Sequence, residues 1–414
     1  MLKNICEKLK IPAEVTAHIC KANEVYTSNR RLETIENICE QNSIKVLEAF
    51  IAEAVSAADL CGTNGYGYGD AGRDKTDRVF ARVFGTEDAL VRHNFVSGTH
   101  ALSTALFACL RGGDTLLAVT GAPYDTLSDV ISGESGGSLK EYGIAYNQIQ
   151  LTSEGEPNYD LIRQECRKAK VVYIQRSCGY QSRRTLTVDE INRIADTVKA
   201  VNPDVFTVVD NCYGEFTEAT EPRADLVVGS LIKNAGAGIA DTGAYICGTK
   251  IAVQFAANRL TSVGIGKEAG CSLGQTKNIL LGLSKAAAAT ANIMRTRLWL
   301  STTMGLLGYH VDHGENEPVI SRITLGTPEK LCAFCRGVQS GCFIDSHLTP
   351  EPWAMPGYDR EIIMAAGAFA AGSSADISAD APMCKPYAVY VQGGVEFHSA
   401  RYALLKAIAN LYVN

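Results

Sequence analysis

Between residues 88 and 250, short apolar runs alternate with helical patterns, and this alternation limits the possible folds more than any other feature. The runs "DTLLAVT", "KVVYIQ", "DVFTVVD", "DLVVGS" and "GAYICG" are rich in Val, Ile and Leu and too short for helices. Stretches such as "GTHALSTALFACL" and "VDEINRIADTVKAV" lie between several of them. Strands that read as continuous apolar runs are buried on both faces. The pattern therefore predicts an α/β architecture, a three-layer, mostly parallel sheet with helices on each side. Ligands of such sheets bind beyond the carboxyl ends of the strands, so the residues that follow each run are the ones to read.

The flanks read differently. Residues 1–60 form a helical N-terminal segment: "LETIENICEQNSIKVLEAFIAEAVSAADL" repeats apolar positions at three- and four-residue spacing and contains neither Gly nor Pro. The composition then breaks at "CGTNGYGYGDAGRD", a glycine-rich loop carrying Tyr66, Tyr68 and Arg73. Residues 61–255 make up the expected large, ligand-binding domain. Residues 256–414 contain a long connecting helix, "TKNILLGLSKAAAATANIMRTRLWLSTTMGLL", and a smaller α+β C-terminal domain.

Composition narrows the partners. The formal net charge of −6 gives no reason to expect nucleic acid or an anionic membrane surface. No apolar run approaches the roughly 20 residues of a membrane helix, and "MLKNICEKLKIPAEV" lacks the apolar core of a secretory signal. The 14 cysteines are scattered, mostly inside apolar stretches, which suits reduced thiols in the cytoplasm.

Four strand ends carry chemistry. "VFTVVD" ends in Asp210, a carboxylate that burial penalises unless a cation or donor meets it. "DLVVGS" leads through Ser230 to Lys233, one helix-plus-strand unit later, amid small residues that allow close backbone approach. "LVRHNFV" gives way to Ser97-Gly98-Thr99 and a helix pattern, so free N–H groups and the positive end of a helix dipole suit a phosphate there. "TLLAVTGAPY" places Tyr124 a short loop beyond a strand, as packing or as a stacking plate for a flat ring.

Each feature alone has an ordinary explanation: a capping Asp, a snorkelling Lys, a plain helix start, a packed Tyr. Together they match the needs of pyridoxal 5'-phosphate. That cofactor joins a lysine through its aldehyde, needs an acid beside its pyridine nitrogen, and anchors its phosphate on a helix N-terminus. Lys233, once released by substrate, is then the general base for the α-proton.

The chain also resembles fold type I pyridoxal-phosphate enzymes, in the cystathionine γ-synthase and methionine γ-lyase group. Within it the chain is similar to the methionine γ-lyase-like branch also labelled aluminium resistance proteins. The segments that carry the resemblance include "YGYGDAGRDKTDRVFARVFGTEDALVRHNFVSGTHA", "IQRSCGY", "VVDNCYGEF", "GSLIKNAGAGIADTGAYI", "RLTSVGIGKEAG" and "PYAVYVQGGVEF". The resemblance implies the fold type I transferase architecture and a carbon–sulfur lyase acting on cystathionine, cysteine or methionine by β- or γ-elimination. It implies catalytic roles for Lys233, Asp210 and Tyr124, with Gly98, Thr99 and Ser230 holding the phosphate. It further implies a homotetramer built from dimers, in which Tyr68 (or Tyr66) and Arg73 reach a neighbouring subunit's cofactor. Another pyridoxal-phosphate reaction, of aminotransferase or aldolase type, and a cofactor-binding protein with little turnover are the alternatives.

The sequence departs from the better-known members at three places. Ile232 stands where a threonine usually precedes the lysine. The asparagine expected near the cofactor's phenolic oxygen is replaced around "IQRSCGY", leaving Gln175 or Arg176 as substitutes. "SADAPMCKPY" offers Cys384 and Lys385 where an arginine for the substrate carboxylate is expected, so Arg360, Arg401 and Lys385 are the candidates. Other signals are weaker. Cys332, Cys335 and Cys342 lack the second pair or histidine of a zinc site, and His310 with His313 lies between glycines in an expected loop, so no metal site is expected.

Overall fold

The computed structural model describes residues 1–181, 183–312, 318–355 and 360–413. His313 lies outside the described residues. The chain divides into two compact units, Asn42–Lys285 and a second formed by Met1–Gln41 with Ala286–Asn414.

The larger unit contains a seven-stranded sheet. Its strands are β1 (Asp88–Arg92), β2 (Thr115–Ala118), β3 (Ala145–Gln148), β4 (Val171–Gln175), β5 (Phe206–Asp210), β6 (Leu226–Ser230) and β7 (Ala244–Gly248). Their order is β1-β7-β6-β5-β4-β2-β3. The neighbours from β6 through β3 run parallel, while β7 pairs antiparallel with both β6 and β1. This is the mostly parallel sheet that the alternating pattern predicts. Strands β4, β6 and β7 are buried along their whole length, in keeping with their unbroken apolar sequences. Helices Gly98–Cys109 and Lys250–Leu260 share an apolar core with these strands through Leu102, Leu106, Val253 and Ala256.

Strand β3 is the one the apolar runs do not reveal. Its sequence, AYNQ, is polar and largely exposed, as a sheet edge permits.

The second unit holds a six-stranded antiparallel sheet of order β10-β11-β12-β13-β9-β8. These strands are β8 (His310–Asp312), β9 (Ser321–Thr324), β10 (Trp353–Ala354), β11 (Glu361–Ala366), β12 (Ser378–Pro382) and β13 (Ala388–Gln392). Helices Pro328–Ser340 and Phe397–Val413 complete the expected α+β domain. The division differs from the expected 1–60, 61–255 and 256–414. Cys6, Ile11, Val15 and Ile19 join one core with Trp299, Phe334 and Leu404, so the first helices belong to the C-terminal unit. Both boundaries fall inside long helices, Arg31–Ala52 and Gln275–Leu306, where composition does not change.

Candidate active site

Parallel register brings the chemistry to one end of the larger sheet. Gln175 at the end of β4 pairs with Asp210 at the end of β5, and Ser230 closes β6 alongside. Asp210 is 4% exposed. It accepts from the Tyr173 hydroxyl at 3.2 Å and from the Cys212 N–H at 3.0 Å. Burial pushes its carboxyl above the usual range, against the lowering effect of Lys233 and these donors.

Lys233 follows β6 at the head of the short 3-10 turn Asn234–Gly236. Its Nζ lies 3.8 Å from the centroid of the Tyr213 ring. Burial works against the charged amine, but Cys212, Tyr213, Asp210 and Tyr124 together outweigh it, and the ammonium is held above its ordinary value. Gly236 is obligatory in this turn, because a Cβ there would sit 1.7 Å from the Leu231 carbonyl oxygen.

The helix Gly98–Cys109 begins beside this group. Its N-cap Ser97 accepts from the His100 N–H at 3.0 Å. Gly98 is packed so closely that a Cβ would meet the Ser230 Cβ at 3.3 Å and the Cys212 Sγ at 3.5 Å. The helix start, Ser230 and Asp210's neighbour Cys212 therefore adjoin. The Tyr124 hydroxyl shares a hydrogen bond of 2.9 Å with Thr99 Oγ1, and its backbone N–H donates to Gln175 Oε1 at 3.0 Å. Burial raises the Tyr124 phenol, and the nearby Asp210 adds to that effect. Thus Lys233, Asp210, Tyr124, Gly98, Thr99 and Ser230, named separately along the sequence, form one connected group.

Arg176 does not join them as a free cation. It is 1% exposed, and its guanidinium donates to Asn211 Oδ1 at 2.8 Å, Glu218 Oε1 at 2.7 Å and Thr217 Oγ1 at 3.2 Å. Gln175 is the residue of that pair whose side chain touches Tyr124. Arg73 likewise points into its own chain, 4% exposed, with Nη1 donating at 2.9 Å to both the Gly67 and Gly270 carbonyls. Within this chain its donors tie the glycine-rich loop to residues 268–270. Tyr66 and Tyr68 are exposed on that loop, their rings stacked with centroids 5.6 Å apart.

The carboxylate candidates lie in the other unit. Arg360 Nη1 donates to Cys384 Sγ at 2.9 Å. Arg401 reaches Asn23 Oδ1 at 3.4 Å and stands over the Phe397 ring. Lys385 precedes a cis peptide bond to Pro386. Among the described residues, no three or more His, Cys, Asp or Glu side chains gather as a metal site, and no helix is long and apolar enough to cross a membrane.

Two site residues escaped the sequence reading, Cys212 and Tyr213. Their only signal is position, since anything directly after β5 must lie at the ligand-binding end of the sheet.

The residue set fits pyridoxal phosphate. A lysine within reach of an acid, a helix N-terminus that glycine leaves open, and a tyrosine above the strand ends supply the groups that cofactor needs.

Known proteins agree with this geometry. A carbon–sulfur lyase involved in aluminum resistance from Clostridium novyi NT is 42% identical, covers 98% of each chain and superposes with a TM-score of 0.93. A Listeria monocytogenes protein, provisionally described as a cystathionine beta-lyase involved in aluminum resistance, is 39% identical over 95% of this chain and 99% of its own, with a TM-score of 0.92. The Bacillus subtilis (strain 168) protein YnbB is 40% identical over 387 residues, 91% of this chain and 92% of its own. The family description methionine gamma-lyase matches residues 17–412, nearly the full length, and the chain belongs to that family.

Proposed function

We propose that this chain is a pyridoxal-phosphate-dependent carbon–sulfur lyase of sulfur amino acids, with cystathionine, cysteine and methionine as the substrates to test. The observation that carries the reading is the convergence of Lys233, Asp210 and the Gly98 helix start at the carboxyl ends of β5 and β6. Family membership supports it.

When bound, the cofactor supplies an electron sink for the bonds at the substrate's α-carbon. The chain's own groups do the rest. The N–H groups at Gly98 and Thr99, with the Ser230 hydroxyl, would hold the phosphate. Asp210, fixed by Tyr173 and the Cys212 N–H, would keep a proton at the pyridine nitrogen. Tyr124, anchored by Thr99 and Gln175, would cover the ring and exclude water from one face. Lys233 would hold the cofactor covalently, then take the proton from the substrate's Cα. The departing sulfur leaves as a thiol, and Lys233 or Tyr124 is placed to move the proton it needs. Water adds to the enamine left by the elimination, giving ammonia and a 2-oxo acid.

The working form is an oligomer in this reading, a homotetramer built from two dimers, with the exposed Tyr66 and Tyr68 offered to a neighbouring subunit. Its compartment is the cytoplasm, where 14 free thiols persist unoxidised.

The test is an assay for thiol and 2-oxo acid release from L-cystathionine, L-cysteine and L-methionine. Release by the parent that Lys233→Ala abolishes is the expected result. Background rates with all three would overturn the reading.

A further inference from the structure

The turn after β5 is conformationally costly. Tyr213 and Phe216 both occupy the left-handed region, with φ of 68° and 61°. Non-glycine residues persist there only where the surroundings over-determine them, and they concentrate at functional sites. Here the constraint comes from Asn234, whose Nδ2 donates to the Tyr213 carbonyl at 3.2 Å and the Glu215 carbonyl at 3.1 Å. The Phe216 N–H adds a bond of 2.8 Å to Glu221 Oε1. Arg176 packs under Gly214, where a Cβ would come within 2.4 Å of its Cδ.

Asn234 is also the residue after Lys233, so one side chain fixes the turn relative to the lysine. The product of this arrangement is the contact between Lys233 Nζ and the Tyr213 ring, 3.8 Å to the centroid. We propose that Tyr213 is a positioning residue, its ring face seating the Lys233 amine at the end of β5 whenever that amine is not engaged with the cofactor.

An aromatic face attracts an ammonium more strongly as water is excluded. Besides Tyr213 itself, the acidic groups facing the same amine are Asp210 on β5, Cys212 in the turn and Tyr124 at the start of helix Asp125–Ser132. None of these presents a ring to the amine at the recorded distance. The purpose of the seat rests on the reading of Lys233 as the cofactor-bearing amine, while the contact itself does not.

The experiment uses the full-length chain, freed of pyridoxal phosphate with hydroxylamine. Acetylation of Lys233 by acetic anhydride is followed by peptide mass spectrometry across a neutral-to-alkaline pH series. Exposed Lys250 is the internal reference, and the unreactive, fully buried Cys247 thiol reports an intact fold. Tyr213→Leu is expected to lower the midpoint of the Lys233 profile, so that labelling near neutral pH is about tenfold faster. Tyr213→Phe keeps the ring and should stay within about twofold of the parent. If the Leu variant exposes Cys247, Tyr213→Asn decides, because asparagine tolerates left-handed backbone. An unmoved midpoint in the folded ringless variant overturns the proposal. So does a higher plateau at the parental midpoint, which reports access alone, or a Phe variant displaced as far as Leu. Because the chain is cofactor-free, a failed lyase assay leaves this result standing.

Discussion

Tyr173 and Asp210 sit on adjacent parallel strands, and the tyrosine hydroxyl donates to Asp210 Oδ2 at 3.2 Å from a site with 1% exposure. The register puts Gln175 opposite Asp210, so Tyr173, two residues earlier on the same face, reaches the carboxylate from below. Tyr173→Phe keeps the packing and removes one donor. Affinity for pyridoxal phosphate, followed by its visible absorbance, is expected to weaken by roughly tenfold to a hundredfold, the range for a hydrogen bond to a charged acceptor. Unchanged affinity would show that the bond does not serve Asp210.

Glu215 is fully buried beneath β6, where its Oε1 accepts from the Tyr245 hydroxyl at 2.9 Å and its Oε2 has no hydrogen-bond partner among the described residues. Burial, reinforced by nearby Glu221, pushes its carboxyl up to about 8. A folded value above the unfolded one means that the native state binds the extra proton between them. Stability therefore falls as pH rises from the ordinary carboxyl range toward 8, by at most about 1.4 kcal/mol per unit. Glu215→Gln, neutral at every pH, should flatten that part of the stability curve. Urea unfolding at several pH values measures it, and an equally steep curve in the variant would assign the slope elsewhere.

Two glycines near the lysine answer differently to one methyl group. At Gly236 a Cβ would overlap the Leu231 carbonyl oxygen, so Gly236→Ala must shift backbone and is expected to cost several kcal/mol of stability, about 3 or more. At Gly98 the nearest atom is the Ser230 Cβ at 3.3 Å. Gly98→Ala should fold with a melting temperature close to the parent, yet bind pyridoxal phosphate at least about tenfold more weakly, because the methyl group enters the phosphate seat. Equal affinities would move that seat away from Gly98.

Position along the strands made the main groups legible in advance. Asp210, Ser230 and Lys233 each follow an apolar run, and in a parallel sheet such positions converge whatever their separation in sequence. Partners reached through space were not legible. Arg176 looks like a free cation until Asn211, Thr217 and Glu218 fold around it. The N-terminal helices advertise apolar faces, but nothing local says that Cys6 and Ile19 will pack with Trp299. Tyr213 was hidden for another reason: propensity argues against left-handed backbone at a tyrosine, and only the hydrogen bonds from Asn234 reverse it.

Arg73 supplies the last prediction, because its guanidinium closes a loop that composition alone would leave open. Gly67 presses on residues 270–271 so tightly that a Cβ would lie 2.6 Å from the Cys271 Cα. The Tyr66 carbonyl accepts from the Gly270 N–H at 2.9 Å. Arg73 spans this junction from inside, bonding the Gly67 and Gly270 carbonyls and pairing with Asp74 through Nε at 2.9 Å. A lysine cannot reproduce three directed contacts from one point charge, so Arg73→Lys should rescue little of what Arg73→Ala loses. Both are expected to cost about 2–4 kcal/mol, since buried carbonyls lose donors and Asp74 loses its cation. The local signature is faster proteolysis within residues 61–70, with the rest of the larger unit as resistant as before. If the loop instead stays protected in Arg73→Ala, the backbone bonds around Gly270 suffice to hold Tyr66 and Tyr68 in place, and the buried guanidinium is dispensable.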